Sequence, residues 1–234
     1  MESRNFKARK NVLEYDDVMN TQREVIYAQR QKVLDGEDLR ENILSMLRTV
    51  VEGNVSTALS ENGGSVNEEA LKELSRQMEG IYFIKGTLQS REAQLLTMDA
   101  AALTDTIYGI CLATYQAEEN AYGENLMREL ERVVMLRVVD EYWMDNIDAM
   151  DDLKQGIGLR AYGQHDPVVA YKEEGYQMFE AMITAIKEET IRRMFLVQLR
   201  TNQEVKREKV ARETGAAGAA AATVKKQPIR NAAK

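Results

Sequence analysis

Three stretches of this 234-residue sequence, 5–34, 124–155 and 167–202, repeat apolar side chains at steps of three and four over about thirty residues each. No proline falls inside any of them; the chain has two in all, and Pro167 stands at the start of the third stretch. Steps of three and four place side chains on one face of a 3.6-residue helix, and uninterrupted runs of this length leave no room for a sheet. Glu, Lys, Arg, Leu, Met and Ala dominate and aromatics are only 6%, the usage of long helices. The expected fold class is all-α.

In the first stretch Val12, Tyr15, Met19, Gln22, Ile26, Gln29 and Val33 share a face, and two of those seven positions are glutamines. Two readings stay open: a buried seam with weak spots, or a face whose Gln22 and Gln29 find hydrogen-bond partners on a second body of the same molecule. Asp35-Gly36 predicts the helix end, and Asp38 with Glu41 the next start. A small helical unit occupies 38–122, with Leu39, Ile43, Leu47 and Val50 on one helix, the loop SENGGS, a short helix over 67–79 and another from Asp99 to about Ala121. Between Gly80 and Gly86 the residues IYFIK are too apolar to stand free and are expected to tuck against helices. A phosphate loop is excluded there, because Lys85 precedes the second glycine instead of coming after it.

From Glu124 to about Gln155 the stripe is Leu126, Leu130, Val133, Leu136, Trp143, Ile147, Met150 and Leu153. From Pro167 onward it is Tyr176, Phe179, Ile183, Ile186, Met194 and Val197. Each helix is roughly 45 Å long at about 1.5 Å per residue, and the short link between them predicts an antiparallel hairpin. Its tip is QGIGLRAYGQHDP, where Asp166-Pro167 starts a helix and Gly156 offers a left-handed close to the one before. Those residues explain a turn. They do not explain Ile157, Leu159 and Tyr162 with Arg160 among them, which predict a contact surface.

Catalytic constellations are missing. The single histidine, His165, builds no two-histidine metal site, and the single cysteine, Cys111, excludes a disulfide framework and reads as a core thiol. Asp16-Asp17 and Asp151-Asp152 are neighbours about 100° apart on a helix, better read as solvated or salt-bridged than as acid–base pairs. A net charge of −7 disfavours nucleic acid, no run of apolar residues is long enough to span a membrane, and the charged start ESRNFKARK is unlike an export signal. Residues 204–234 carry eight Lys/Arg against three Asp/Glu and an alanine run, predicting a flexible basic tail.

ESRNFKARKNVLEYDDVMNTQREVIYAQR, VMLRVVDEYWMDNIDAMDDLKQGIGLRAYGQHDP and YKEEGYQMFEAM closely resemble the C-terminal region of the SecA family, the motors of bacterial preprotein export. The match covers roughly 2–34 and 124–200 and is looser over 38–122. The resemblance implies a scaffold helix with a trailing edge of the motor domain (1–37), a helical wing domain (38–122), a second scaffold helix with a two-helix finger (123–203) and the tail (204–234). It further implies that Gln22, Arg23, Gln29 and Arg30 couple to motor domains, with the arginines facing motor carboxylates, and that Tyr162, flanked by Ile157, Leu159 and Arg160, touches the moving polypeptide. Implied partners are those motor domains, unfolded preprotein, the SecY channel and, peripherally, the anionic surface of the cell membrane on its cytoplasmic face. ATP and magnesium are implied for the full-length protein; for this chain no cofactor, metal site or catalytic residue is expected, since the family's nucleotide motifs lie in preceding domains. The cysteine-rich zinc tail of many members has no counterpart among these residues. A free-standing helical interaction module and a bundle enzyme are the competing classes, the latter disfavoured by the lone histidine.

Overall fold

The computed structural model describes residues 2–36, 39–160 and 166–197, with side chains described over 9–36, 39–157 and 166–197. Among the described residues there are seven α-helices and no strand: α1 (Glu2–Asp35), α2 (Leu39–Glu61), α3 (Glu68–Met78), the single turn α4 (Glu92–Leu95), α5 (Ala100–Tyr122), α6 (Glu124–Arg160) and α7 (Pro167–Leu196). The all-α expectation holds. Asp38, half of the expected capping pair, lies outside the described residues, as do the segment 161–165 and everything from 198 on, including the basic tail.

Local chemistry sets the helix ends. Asn67 accepts the amide of Ala70 at 2.8 Å and so caps α3; Asp99 accepts that of Ala102 at 2.7 Å and caps α5. Asp166 caps α7 by accepting the Val168 amide at 3.0 Å, with proline in the first turn, where a missing N–H costs nothing. Gly36 and Gly123 come directly after α1 and α5 with φ of 75° and 83°, a backbone region that residues with a Cβ rarely adopt. The long helix α6 departs from the expected end near Gln155: it continues to Arg160 and carries Gly156 inside it, so Gly156 is not a left-handed cap.

One apolar core joins the helices. It runs from Ile26 and Val33 of α1 through Ile43, Leu47 and Val51 of α2, Leu74 and Met78 of α3, and Leu103, Ile107 and Cys111 of α5 to Val138 and Trp143 of α6 and Ile191 and Met194 of α7. Burial pushes the Cys111 thiol up to about 12, which keeps it protonated and inert. Tyr82 and Phe83 of the IYFIK turn enter this core, and the Tyr82 ring meets Phe195 edge-on at 5.4 Å, whereas Ile84 is 82% exposed. The turn itself is closed by Glu79, whose carboxylate accepts the amides of Gly86 at 2.8 Å and Leu88 at 2.9 Å. Those N–H groups, the kind an anion would need, are already donated to a side chain.

The apolar stripes of the hairpin hold at most of their expected positions and shift by about one residue at three of them. On α6, Trp143 and Met150 are buried as expected, but Leu126 and Val133 are exposed and Met127, Val134, Met135 and Val138 fill the interior. The reason is that α6 packs against four helices along its length, α2 and α5 as well as α1 and α7, so its buried face turns as its neighbours change. On α7, Tyr176 is exposed with its hydroxyl on Glu180, and the preceding Gly175 faces inward. A polar cluster ties α2, α5 and α6 together. The Tyr115 hydroxyl donates to the fully buried Glu131 carboxylate, Arg128 reaches Tyr115 at 2.9 Å and Glu119 at 2.5 Å, and Arg40 reaches Glu119 at 3.1 Å. Burial pushes the Glu131 carboxyl up, opposed by Tyr115 and Arg128.

Candidate functional site

Helices α1, α6 and α7 meet along a seam that carries Gln22, Arg30 and Ile157 of the residues singled out in the sequence. Helix α1 runs antiparallel to α6, as three side-chain pairs show in order: Asp16 with Lys154 at 3.1 Å, Gln22 with Asn146 at 3.2 Å, and Arg30 with Asp140 at 3.0 Å. The outer pairs are exposed ion pairs. The middle pair is buried, Gln22 being 5% and Asn146 6% exposed.

Gln22 engages both ends of its amide. Its Nε2 donates to the Gly175 carbonyl of α7 at 3.0 Å, while its Oε1 accepts from Asn146 Nδ2 of α6 at 3.2 Å. A helical carbonyl engages one lone pair with its own turn and keeps a second for such a donor. The glutamine thus finds its partners on the hairpin of this chain. Gln29 lies exposed on α1, and Arg23 is exposed and donates to Asn20 Oδ1 at 3.2 Å. Arg30 grips Asp140 with two nitrogens, Nε at 3.0 Å and Nη2 at 3.3 Å. Of the four coupling candidates, the seam therefore engages Gln22 and Arg30, and leaves Arg23 and Gln29 at the surface.

Gly175 faces side chains of both α6 and α1. A Cβ there would stand 2.8 Å from Met150 Cε, 3.3 Å from Met150 Sδ and 3.8 Å from Val18 Cγ1. Toward the tip a second small core, Met150, Ile157 and Tyr171, holds the neck of the hairpin, with Tyr15, Val18 and Leu153 packed on it. The Tyr15 and Tyr171 rings meet edge-on at 4.7 Å, and Lys154 Nζ lies 5.8 Å from the Tyr15 centroid. Ile157 is 1% exposed and packs the neck, which sets it apart from the contact surface its position suggested. It lies inside because α6 continues past Gly156 and carries it toward Tyr171. The side chains of Leu159 and Arg160, and Tyr162 altogether, lie outside the described residues.

Asn146, Asp140 and Gly175 escaped the sequence reading. The signal for Asn146 was available: a short amide inside the run Trp143, Ile147, Met150 is as conspicuous as Gln22 inside its own stripe. Around the rest of its surface α1 carries Val12, Leu13, Val25, Tyr27 and Leu34, all between 42% and 64% exposed. Beside Tyr27 and Leu34 a groove opens between α1 and α6 over Trp143 and the 66% exposed Met144. Among the described residues no group of three or more His, Cys, Asp or Glu is placed to hold a metal ion, and no helix is long and apolar enough to cross a membrane.

Residues 1–198 match the SecA Wing and Scaffold domain family. The protein translocase subunit SecA of Finegoldia magna is 47% identical over 218 residues, covering 93% of this chain and 23% of the relative. The protein translocase subunit SecA 1 of Clostridioides difficile is 46% identical over 88% of this chain and 22% of its own length, and the Desulforamulus reducens subunit is 45% identical over 98% and 25%. The chain spans about a quarter of the length of these relatives. With a family match over nearly all of its described length and identities near one half, the chain belongs to the SecA family as its wing and scaffold region.

Proposed function

We propose that this chain couples ATP hydrolysis in the motor domains of a SecA-type translocase to the movement of unfolded preproteins through the SecY channel, at the cytoplasmic face of the cell membrane. One observation carries the reading. Helix α1 buries one side on its own hairpin and leaves five large apolar side chains exposed on the rest of its surface, in a chain one quarter the length of its relatives. Large apolar side chains left exposed along a long helix are the kind of surface that further domains cover. The division into scaffold helix (1–37), wing (38–122), second scaffold helix with finger (123–203) and tail (204–234) belongs to the same reading. Arg23 and Gln29, both exposed, and Arg30 next to the groove are the residues through which motor domains act; Gln22 acts from inside the seam. Tyr162, with Leu159 and Arg160, is the tip that meets the polypeptide, and Ile157 supports it from the neck. ATP and magnesium belong to the motor domains, and an anionic membrane surface is a peripheral partner.

The test grafts this chain in place of the corresponding region of a full-length relative and measures ATP-driven import of an unfolded preprotein into inverted membrane vesicles. Transport by the chimera, with ATP turnover stimulated by preprotein, is expected. A folded chimera that hydrolyses ATP and neither transports nor responds to preprotein would overturn the reading.

A further inference from the structure

We infer that Gln22, through Asn146 of α6 and the Gly175 carbonyl of α7, is a positioning residue that locks the hairpin to one axial register on helix α1. The inference rests on the coupling role proposed above, since a lever transmits movement only if it cannot slip on its strut.

The seam needs such a lock because its apolar residues are interchangeable. Along α1 the inward positions Tyr15, Val18, Met19, Ile26 and Val33 recur at helical spacing, so a slip of one turn, about 5.4 Å, sets apolar side chains against apolar side chains again. The flanking ion pairs discriminate poorly. Asp16 and Asp140 are each about half exposed and stay solvated if they part from Lys154 and Arg30. Gln22 differs from both kinds of contact. It is buried, it binds two helices at once, and a slip of one turn takes its amide away from both partners, leaving a buried polar group to be satisfied again. Gly175 lies at the same layer, where a Cβ would stand 2.8 Å from the Met150 Cε methyl and push the end of that side chain aside. A buried hydrogen-bonded amide pair adds little net stability compared with apolar residues of equal shape, and its best-attested use is to fix register.

Register is read by pulsed electron spin resonance between nitroxides at Glu24→Cys on α1 and Glu173→Cys on α7, both exposed positions, in a Cys111→Ala background of the 234-residue chain. The parent is expected to give one narrow distance. Gln22→Leu with Asn146→Leu is expected to keep its helix content and melt near the parent, yet to show a second distance from a slip of about one turn, 5.4 Å. If the leucine pair does not fold, Gln22→Met alone, close in shape, must show the second distance. A parent-like single distance in the folded leucine pair, or in Gln22→Met, overturns the lock and leaves apolar packing as the source of register. Transport plays no part in this readout. A chimera that fails to transport while the single distance persists sinks the coupling role and not the lock.

Discussion

Arg30 meets Asp140 with two nitrogens on two oxygens, Nε on Oδ1 at 3.0 Å and Nη2 on Oδ2 at 3.3 Å, and so joins α1 to α6 at the rim of an apolar groove. Both side chains keep contact with solvent. The pair is a guide for the helices more than a source of stability.

That geometry predicts a salt-dependent charge swap. Arg30→Glu sets two carboxylates face to face and is expected to lower the melting temperature in dilute buffer, with the deficit shrinking in about 1 M salt, where the screening length falls to about 3 Å. Adding Asp140→Arg restores the attraction and the melting temperature. In the full-length chimera, Arg30→Glu is expected to weaken regulation of ATP turnover and the double variant to recover it. Recovery of the melting temperature without recovery of regulation would show that Arg30 acts on the motor directly and not through Asp140.

Trp143 carries the largest single packing prediction. It is 6% exposed and lies in the core shared by α1, α6 and α7, next to the groove. Trp143→Ala is expected to cost about 3–5 kcal/mol by denaturant unfolding. A loss below about 1 kcal/mol, the range of surface substitutions and mild truncations, would mean that the indole is not part of the core.

The expectation for Trp143 stood in the sequence, and the fate of its neighbours did not. Helix type and approximate ends were legible because periodicity and capping are local: Asn67, Asp99 and Asp166 are short polar acceptors standing directly before a helical run. Which side of α6 turns inward was not local. Met127 and Val134 are buried and Leu126 and Val133 are exposed because other helices arrive on that side, and a helix with apolar residues on both sides of the seam does not say so in advance. Gln22 was legible as an anomaly, but its partners lie more than a hundred residues away in the chain. Gly156 misled because glycine near a helix end is usually a cap, and here the packing of Ile157 on Tyr171 extends α6 past it.

Glu118 predicts a pH effect. Burial pushes its carboxyl from 4.5 up to about 7. A raised carboxyl binds its proton more tightly in the folded chain than in the unfolded one, so its contribution to stability is full below about pH 4.5 and is lost as pH rises through about 7. Glu118→Gln keeps the shape and cannot ionise. It is expected to melt higher than wild type at about pH 8, with the gap closing toward about pH 4.5. Equal melting temperatures at both ends would place the Glu118 carboxyl in water.

The tip offers the last prediction. The neck is already held by Met150, Ile157 and Tyr171, by the Tyr15 ring against Tyr171, and by the Asp166 cap on α7. Tyr162→Ala is therefore expected to change stability by no more than about 0.5 kcal/mol, the scale of a surface substitution. In the full-length chimera the same change is expected to slow preprotein transport while basal ATP turnover persists, because an aromatic supplies a large contact that tolerates any sequence passing it. Tyr162→Phe separates ring from hydroxyl: transport close to wild type assigns the grip to ring area, and a loss near that of alanine assigns it to the hydroxyl. A photo-crosslinker at position 162 is expected to capture a preprotein arrested in transit, and one at the exposed Glu188 on the shaft of α7 is not. Equal capture at both positions, or unaltered transport by Tyr162→Ala, would reduce the tip to a turn.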